Sequence, residues 1–149
     1  MEHRREETDF DRLVAELRQQ IAEQERALYS AKVIEEAHNP KNLGRMAVPD
    51  AYGIVHGWCG DTMEIYLRLD GDRIIEATFM TDGCGPTVAC GSMFTTMVTG
   101  MPLEEAGAIT PENLIAALDG LPEESLHCAE LAVSTLREAI ANWHVEDRA

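Results

Sequence analysis

The chain has 149 residues, 45% of them hydrophobic, 26% charged and 5% aromatic, a size and composition that bury a core without disulfide staples and suit one compact domain with room for an appendage. Its 12 basic residues stand against 27 acidic ones for a net charge of −15, which argues against a nucleic-acid groove or an anionic membrane surface as the main partner and favours basic proteins or metal cations. No apolar run approaches the length of a membrane span.

The opening residues, MEHRREETDFDRL, hold two arginines with no apolar stretch behind them, so neither a secretory nor a twin-arginine signal is expected. From Phe10 to Leu28, the positions Phe10, Val14, Leu17, Ile21, Gln24 and Leu28 alternate in steps of four and three, the stripe of an amphipathic helix, with Thr8 and Asp11 as its start cap. Its polar face carries Glu16, Arg18, Glu23, Glu25 and Arg26. Docking of the stripe on its own domain and pairing with a second copy as a homodimer are both open.

A second short helix runs from Ser30 to Ala37 and stops at Asn39-Pro40, because the residue before proline is pushed out of the helical region. A loop through Gly44, Pro49 and Gly53 leads into strands. Residues 52 to 58 form one, Ile65, Leu67 and Leu69 alternate with Glu64, Tyr66 and Arg68 in the next, and Ile74 to Met80 returns after a turn at Gly71.

Beyond Gly85-Pro86 the pattern becomes helical, first from Thr87 to Thr99, then in short pieces near Leu103 and after Pro111, and last to about Trp143. Pro102, Pro111 and Pro122 each suit a first helical turn. Strands followed by helices predict an α+β fold, a small three-stranded antiparallel sheet with helices packed on one face, preceded by the N-terminal amphipathic helix.

With no export signal expected, the four cysteines belong to a reducing compartment, by default the cytoplasm, where thiols bind metal or do chemistry. Three share a local setting: Cys59 in Trp-Cys-Gly-Asp, Cys84 in Asp-Gly-Cys-Gly-Pro, and Cys128 after Leu126-His127. Glycine beside the first two lets the chain turn sharply and bring backbone amides up to a large inorganic group, so exposed loop tips are expected. Cys128 falls in the first turns of the last helix, where the positive end of the dipole favours thiolate, the form that binds metal or attacks sulfur.

Such separated cysteines do not make a zinc ribbon, and a shared site must be assembled by the fold. Asp61, two residues after Cys59, shares its face if the backbone is extended. His127 and Cys128, adjacent on a helix, point about 100° apart unless the helix start is irregular. Cys90, on a stripe with Thr87, Phe94 and Val98, reads as a small buried hydrophobe, with a reserve ligand or persulfide carrier as the sharper alternative. His56 reads as a strand residue, and Met93, Met97 and Met101 as core packing rather than copper ligands.

The segments Tyr29-Ser30, Asn39-Pro40-Lys41-Asn42, Cys59-Gly60-Asp61, Gly83-Cys84-Gly85 and Leu126-His127-Cys128, in this order, resemble the NifU/IscU family of iron-sulfur cluster scaffolds. The resemblance runs from about Leu28 to Trp143 and implies a scaffold domain at residues 29–149 behind a helical extension at residues 1–28. It implies assembly of [2Fe-2S] clusters from iron and sulfur and their transfer to apo iron-sulfur acceptor proteins, by a carrier that is not an enzyme and has no catalytic residue. Cys59, Cys84 and Cys128 would be the cluster and metal ligands, with Asp61 and His127 as candidates for the fourth place. Sulfur would come from a cysteine desulfurase as a persulfide, for which Cys84 and Cys128 are the acceptor candidates.

Three thiolates ligate iron firmly, whereas a carboxylate or imidazole in the fourth place leaves a weak edge from which a cluster can be released. The same thiolates accept zinc in the cluster-free form, and a zinc-dependent sulfur-accepting protein is the alternative function. A zinc-stabilised interaction module is a third reading, disfavoured because a chain this long does not need metal to acquire a core.

The chain departs from the family at Cys90, where a small residue is common. It also has Leu121-Pro122-Glu123-Glu124-Ser125 where members served by a dedicated Hsp70-type chaperone carry Leu-Pro-Pro-Val-Lys. Two acids in place of an apolar, basic stretch argue against that chaperone as a partner. The insertion that marks the sulfur-transferring subgroup is not seen between Cys84 and Cys128.

Overall fold

A computed structural model describes residues 8 to 147; the first seven residues, part of the stretch read for an export signal, lie outside them. The elements are α1 (Asp9–Leu28), α2 (Ala31–His38), β1 (Ala51–His56), β2 (Thr62–Asp70), β3 (Arg73–Thr81), α3 (Gly85–Val98), α4 (Leu103–Gly107), α5 (Pro111–Ala117), a one-turn 3-10 helix (Glu123–Ser125) and α6 (Leu126–Asp147). Among the described residues no helix is long and apolar enough to cross a membrane.

The strands form one antiparallel sheet in the order β1-β2-β3. Because side chains alternate across a strand, Gly53, Ile65 and Phe79 lie in register on one face, beside Ala51, Leu67 and Ala77. That face is buried under α3 and α6. Gly53 lets α6 come this close, since a Cβ there would stand 2.5 Å from the backbone nitrogen of Ala139. On the opposite face Tyr52 stacks on Tyr66 at 5.9 Å, and Tyr52 and Ile54 remain exposed. The fold is the expected α+β arrangement with helices on one face of the sheet.

Thr8 and Asp11 form the expected capping box, with bonds of 3.1 and 3.2 Å, yet α1 buries no residue. Phe10, Leu13, Leu17, Ile21 and Leu28 are all exposed. The helix meets the rest of the chain through α2, where His38 Nε2 lies 3.0 Å from the Glu25 carboxylate. Its stripe is therefore not docked on its own domain.

The Asn39-Pro40-Lys41-Asn42 loop ties α2, α3 and β3 together. Ser92 Oγ accepts from the Lys41 backbone at 2.8 Å, Asn42 Nδ2 donates to Thr95 Oγ1 at 3.1 Å, and the Phe79 amide donates to the Asn42 carbonyl at 2.9 Å. Glu36, buried beneath this loop, accepts from Lys41 Nζ at 2.8 Å and from the Ser92 hydroxyl. Burial alone would raise its carboxyl pKa, but the bonds from Lys41 and Ser92 and the charge of Lys41 outweigh it, and the net shift is downward.

Boundaries differ from expectation where the backbone turns. β1 ends at His56 rather than residue 58, because the Gly57 amide donates to the Asp61 carbonyl at 2.7 Å and closes a loop. α3 starts at Gly85, with Cys84 as its cap and Pro86 in its first turn. Pro111 opens α5, while Pro102 and Pro122 stand as the residues before their helices. Met93, Met97 and Met101 pack against the core as expected.

Candidate metal and cluster site

Three segments distant in sequence meet at one end of the sheet: the β1–β2 loop, the start of α3 and the start of α6. In the loop, the Gly60 amide bonds to the Gly57 carbonyl at 3.0 Å and Gly60 takes φ +97°, a conformation that residues with a Cβ rarely adopt. This turn, the sharp one that glycine beside Cys59 was expected to allow, brings Cys59 and Asp61 to one side without an extended backbone between them. The Cys59 sulfur, an Asp61 carboxylate oxygen and a His127 ring nitrogen all lie within 4.8 Å of one another.

Cys84 stands exposed as the N-cap of α3, with φ −102° and ψ −178°, and its thiol makes no capping bond. Its carbonyl accepts from the Thr87 amide at 2.8 Å. At the third segment, α6 follows directly on the 3-10 turn. There His127 Nε2 comes within 3.6 Å of Cys128 Sγ, so these neighbours reach the same mouth despite their expected divergence.

Cys128 stands in the first turn of the last helix as expected, but it is 2% exposed, a wall of the mouth. Burial pushes its thiol pKa up; a hydrogen bond with Thr87 opposes the rise, while negative charge on Asp61, Cys59 and Cys84 adds to it. Desolvation, which favours the neutral thiol, is the largest of these influences. Cys84 is tied to the same corner through Thr87, whose amide donates to the Cys84 carbonyl and whose hydroxyl meets Asp61 and Cys128. A metal cation would supply the charge that draws off the proton, because metal binding is coupled to ligand deprotonation.

Cys90 is wholly buried in α3, and burial raises its thiol pKa far above the ordinary value, with negative charge on Cys128 adding to the rise. It sits in the core as the small hydrophobe expected. His56 Nδ1 pairs with Thr62 Oγ1 at 2.8 Å, and with Trp58, Cys59, His127 and Leu131 it lines a cleft of about 210 Å³.

Two residues at the mouth were not singled out in the sequence as parts of the site. Trp58 is 85% exposed, with its ring centroid 5.4 Å from that of His127. Thr87 is buried, and its Oγ1 donates to Asp61 Oδ2 at 3.1 Å and lies 3.3 Å from Cys128 Sγ. The available signal for Thr87 was a hydroxyl on an otherwise apolar helix stripe.

The donor set mixes soft thiols with a carboxylate and an imidazole, groups that suit zinc or iron. The family model for the NifU-like N terminal domain matches residues 28–148. The chain is 40% identical over 117 residues to the iron-sulfur cluster assembly scaffold protein IscU 1 of Archaeoglobus fulgidus, covering 78% of this chain and 76% of that protein. It is also 40% identical over 120 residues to the iron-sulfur cluster assembly scaffold protein IscU of Haemophilus influenzae, covering 77% and 94%. The crystal structure of a nitrogen-fixing NifU-like protein (N-terminal) from Brucella abortus superposes with a TM-score of 0.64 at 21% identity, over 82% of this chain and 96% of that one, which speaks to the fold alone.

Proposed function

The chain belongs to the NifU-like N-terminal domain family, and on that footing we propose that it carries a nascent [2Fe-2S] cluster as cargo on Cys59, Cys84 and Cys128. Iron enters at the mouth, sulfur arrives from a cysteine desulfurase, and the finished cluster passes to apo iron-sulfur proteins. The supporting observation is the meeting of Cys59, Asp61 and His127 within 4.8 Å beside the Cys128 sulfur. Asp61 or His127 takes the fourth place, an oxygen or nitrogen ligand that lets the cluster leave. The protein is then a carrier rather than an enzyme.

Of the two acceptor candidates, Cys84 is exposed and Cys128 is buried, which favours Cys84 for meeting a persulfide on a partner protein. Residues 29–149 form the scaffold domain, and residues 1–28 an extension whose stripe pairs two protomers into a homodimer. Exposed Glu123 and Glu124 disfavour a dedicated Hsp70-type chaperone. Free thiols of this kind suit the cytoplasm.

The Cys59–Asp61–His127 set favours a second reading as well, because thiol, carboxylate and imidazole together suit zinc. In the cluster-free form zinc would sit there, and the alternative function is zinc-dependent sulfur acceptance. Anaerobic reconstitution with iron, cysteine and a desulfurase separates the two. Equal amounts of bound iron and sulfide with visible absorption are expected. A chain that took up only zinc and stimulated the desulfurase would replace the scaffold reading.

A further inference from the structure

Thr87 lies in the first turn of α3, 2% exposed. A threonine inside a helix commonly turns its hydroxyl back onto the carbonyl four residues earlier, and its neighbours do so. Thr95 bonds to Gly91, Thr96 to Ser92, Thr99 to Thr95 and, in α6, Thr135 to Leu131, at 2.6 to 2.8 Å. Thr87 is different. Its hydroxyl leaves its own helix, donates to Asp61 Oδ2 at 3.1 Å and lies 3.3 Å from Cys128 Sγ. One buried oxygen thus joins a carboxylate of the β1–β2 loop to a sulfur of α6.

The chain next to it is shaped to seat this side chain. A Cβ on Gly83 would stand 2.7 Å from the Cβ and Cγ2 of Thr87, so the bare backbone before Cys84 is what lets Thr87 fill the space behind the mouth. Cys90, one helical turn farther on, lies entirely within the core. The Thr87 hydroxyl is therefore the point where the buried face of α3 meets the ligands.

From this geometry we infer that Thr87 is a positioning residue for the metal mouth, holding the Asp61 carboxylate by Oδ2 against the Cys128 sulfur before any metal arrives. Oδ1 is left unengaged by Thr87. The inference rests on the cluster-site reading above and deepens it, by naming the group that sets the spacing between an oxygen ligand on a mobile kind of element, a loop, and a sulfur ligand on a rigid one. Hydrogen-bond partners that fix ligand orientation are commonly worth about 10- to 100-fold in metal affinity.

Cobalt(II) is the probe, because thiolate ligation gives it a charge-transfer absorption that reports sulfur binding directly. The full chain is titrated anaerobically under reducing conditions, beside Thr87→Val, which keeps the shape and removes the hydroxyl, and Thr87→Ser, which keeps the hydroxyl. Thr87→Val is expected to weaken cobalt binding by about 10- to 100-fold, with Thr87→Ser close to the unmodified chain. In an Asp61→Ala background the effect of Thr87→Val should shrink.

Equal affinity of Thr87→Val and the unmodified chain would overturn the inference. So would a loss in Thr87→Ser as large as in Thr87→Val, which would mean packing alone, or an undiminished effect without Asp61. If the valine variant fails to fold, Thr87→Ala carries the same expectation. No sulfur-to-cobalt absorption in the unmodified chain would instead bring down the cluster-site reading, and this inference with it.

Discussion

The two longest helices, α1 with 20 residues and α6 with 22, end in opposite situations. α1 has a capping box and the neater apolar stripe, and it buries nothing. α6 has apolar residues around more of its circumference, and it buries Cys128, Leu131, Val133, Leu136 and Ala139. A single clean stripe marks a helix with one wet side, whereas apolar residues on most sides mark a helix packed between layers. Capping and periodicity establish that a helix forms; what covers it is decided by the rest of the chain. The site follows the same division, with a sulfur anchored on the packed helix and two more on exposed turns.

The largest expected effect sharpens that contrast at the site. Cys128→Ser should abolish bound iron and sulfide after anaerobic reconstitution, while a chain lacking residues 1–28 keeps both in full. A cluster retained by Cys128→Ser would remove α6 from the ligand set.

The next effect is on stability. Leu136→Ala, at a fully buried position of α6, should lower the unfolding free energy by about 2 to 5 kcal/mol in chemical denaturation. Arg18→Ala, on the exposed polar face of α1, should change it by about 0.5 kcal/mol or less. Comparable losses at the two positions would break the comparison, because they would require that face of α1 to be packed.

A third test concerns the polar clamp that sets α3 in place. The folded pKa of Glu36 lies below its unfolded value, so its contribution is present above the unfolded pKa and is lost as pH falls through the folded one. Thermal melting of the metal-free chain should therefore fall on the acid side, and Glu36→Gln should flatten that fall. An acid limb unchanged in the variant would assign it to other carboxylates.

The smallest effect is expected at the N-terminus. Deleting residues 1–28 should leave the melting temperature nearly unchanged and convert a dimer to a monomer in gel filtration. The same species before and after deletion would sink the pairing of protomers through α1.

Much of this architecture is legible in the sequence, because alternation in β2 and β3 and the cap at Thr8 are local signals. The cysteines at glycine-rich turns were legible for the same reason. What was not legible depended on segments meeting across the fold. Cys128 could be placed at a helix start, but its burial needs the β1–β2 loop and α3 to close over it. Asp61 could be placed near Cys59, but by a turn at Gly60 rather than by an extended strand. Thr87 looked like one more residue of a buried stripe until the loop supplied its partner. Of the three prolines expected in first helical turns, Pro111 is in one, while Pro102 and Pro122 stand one residue earlier as caps.

Trp58 has a practical consequence for following events at the mouth. Its indole stands 5.4 Å from the His127 ring, so iron, cobalt or a cluster seated there lies close enough to drain its excited state. The chain's other tryptophan, Trp143, is fifteen residues beyond Cys128 on the same helix, about 22 Å away along its axis. Dimming of the emission from Trp58, against a steadier background from Trp143, gives a label-free optical record of loading and release.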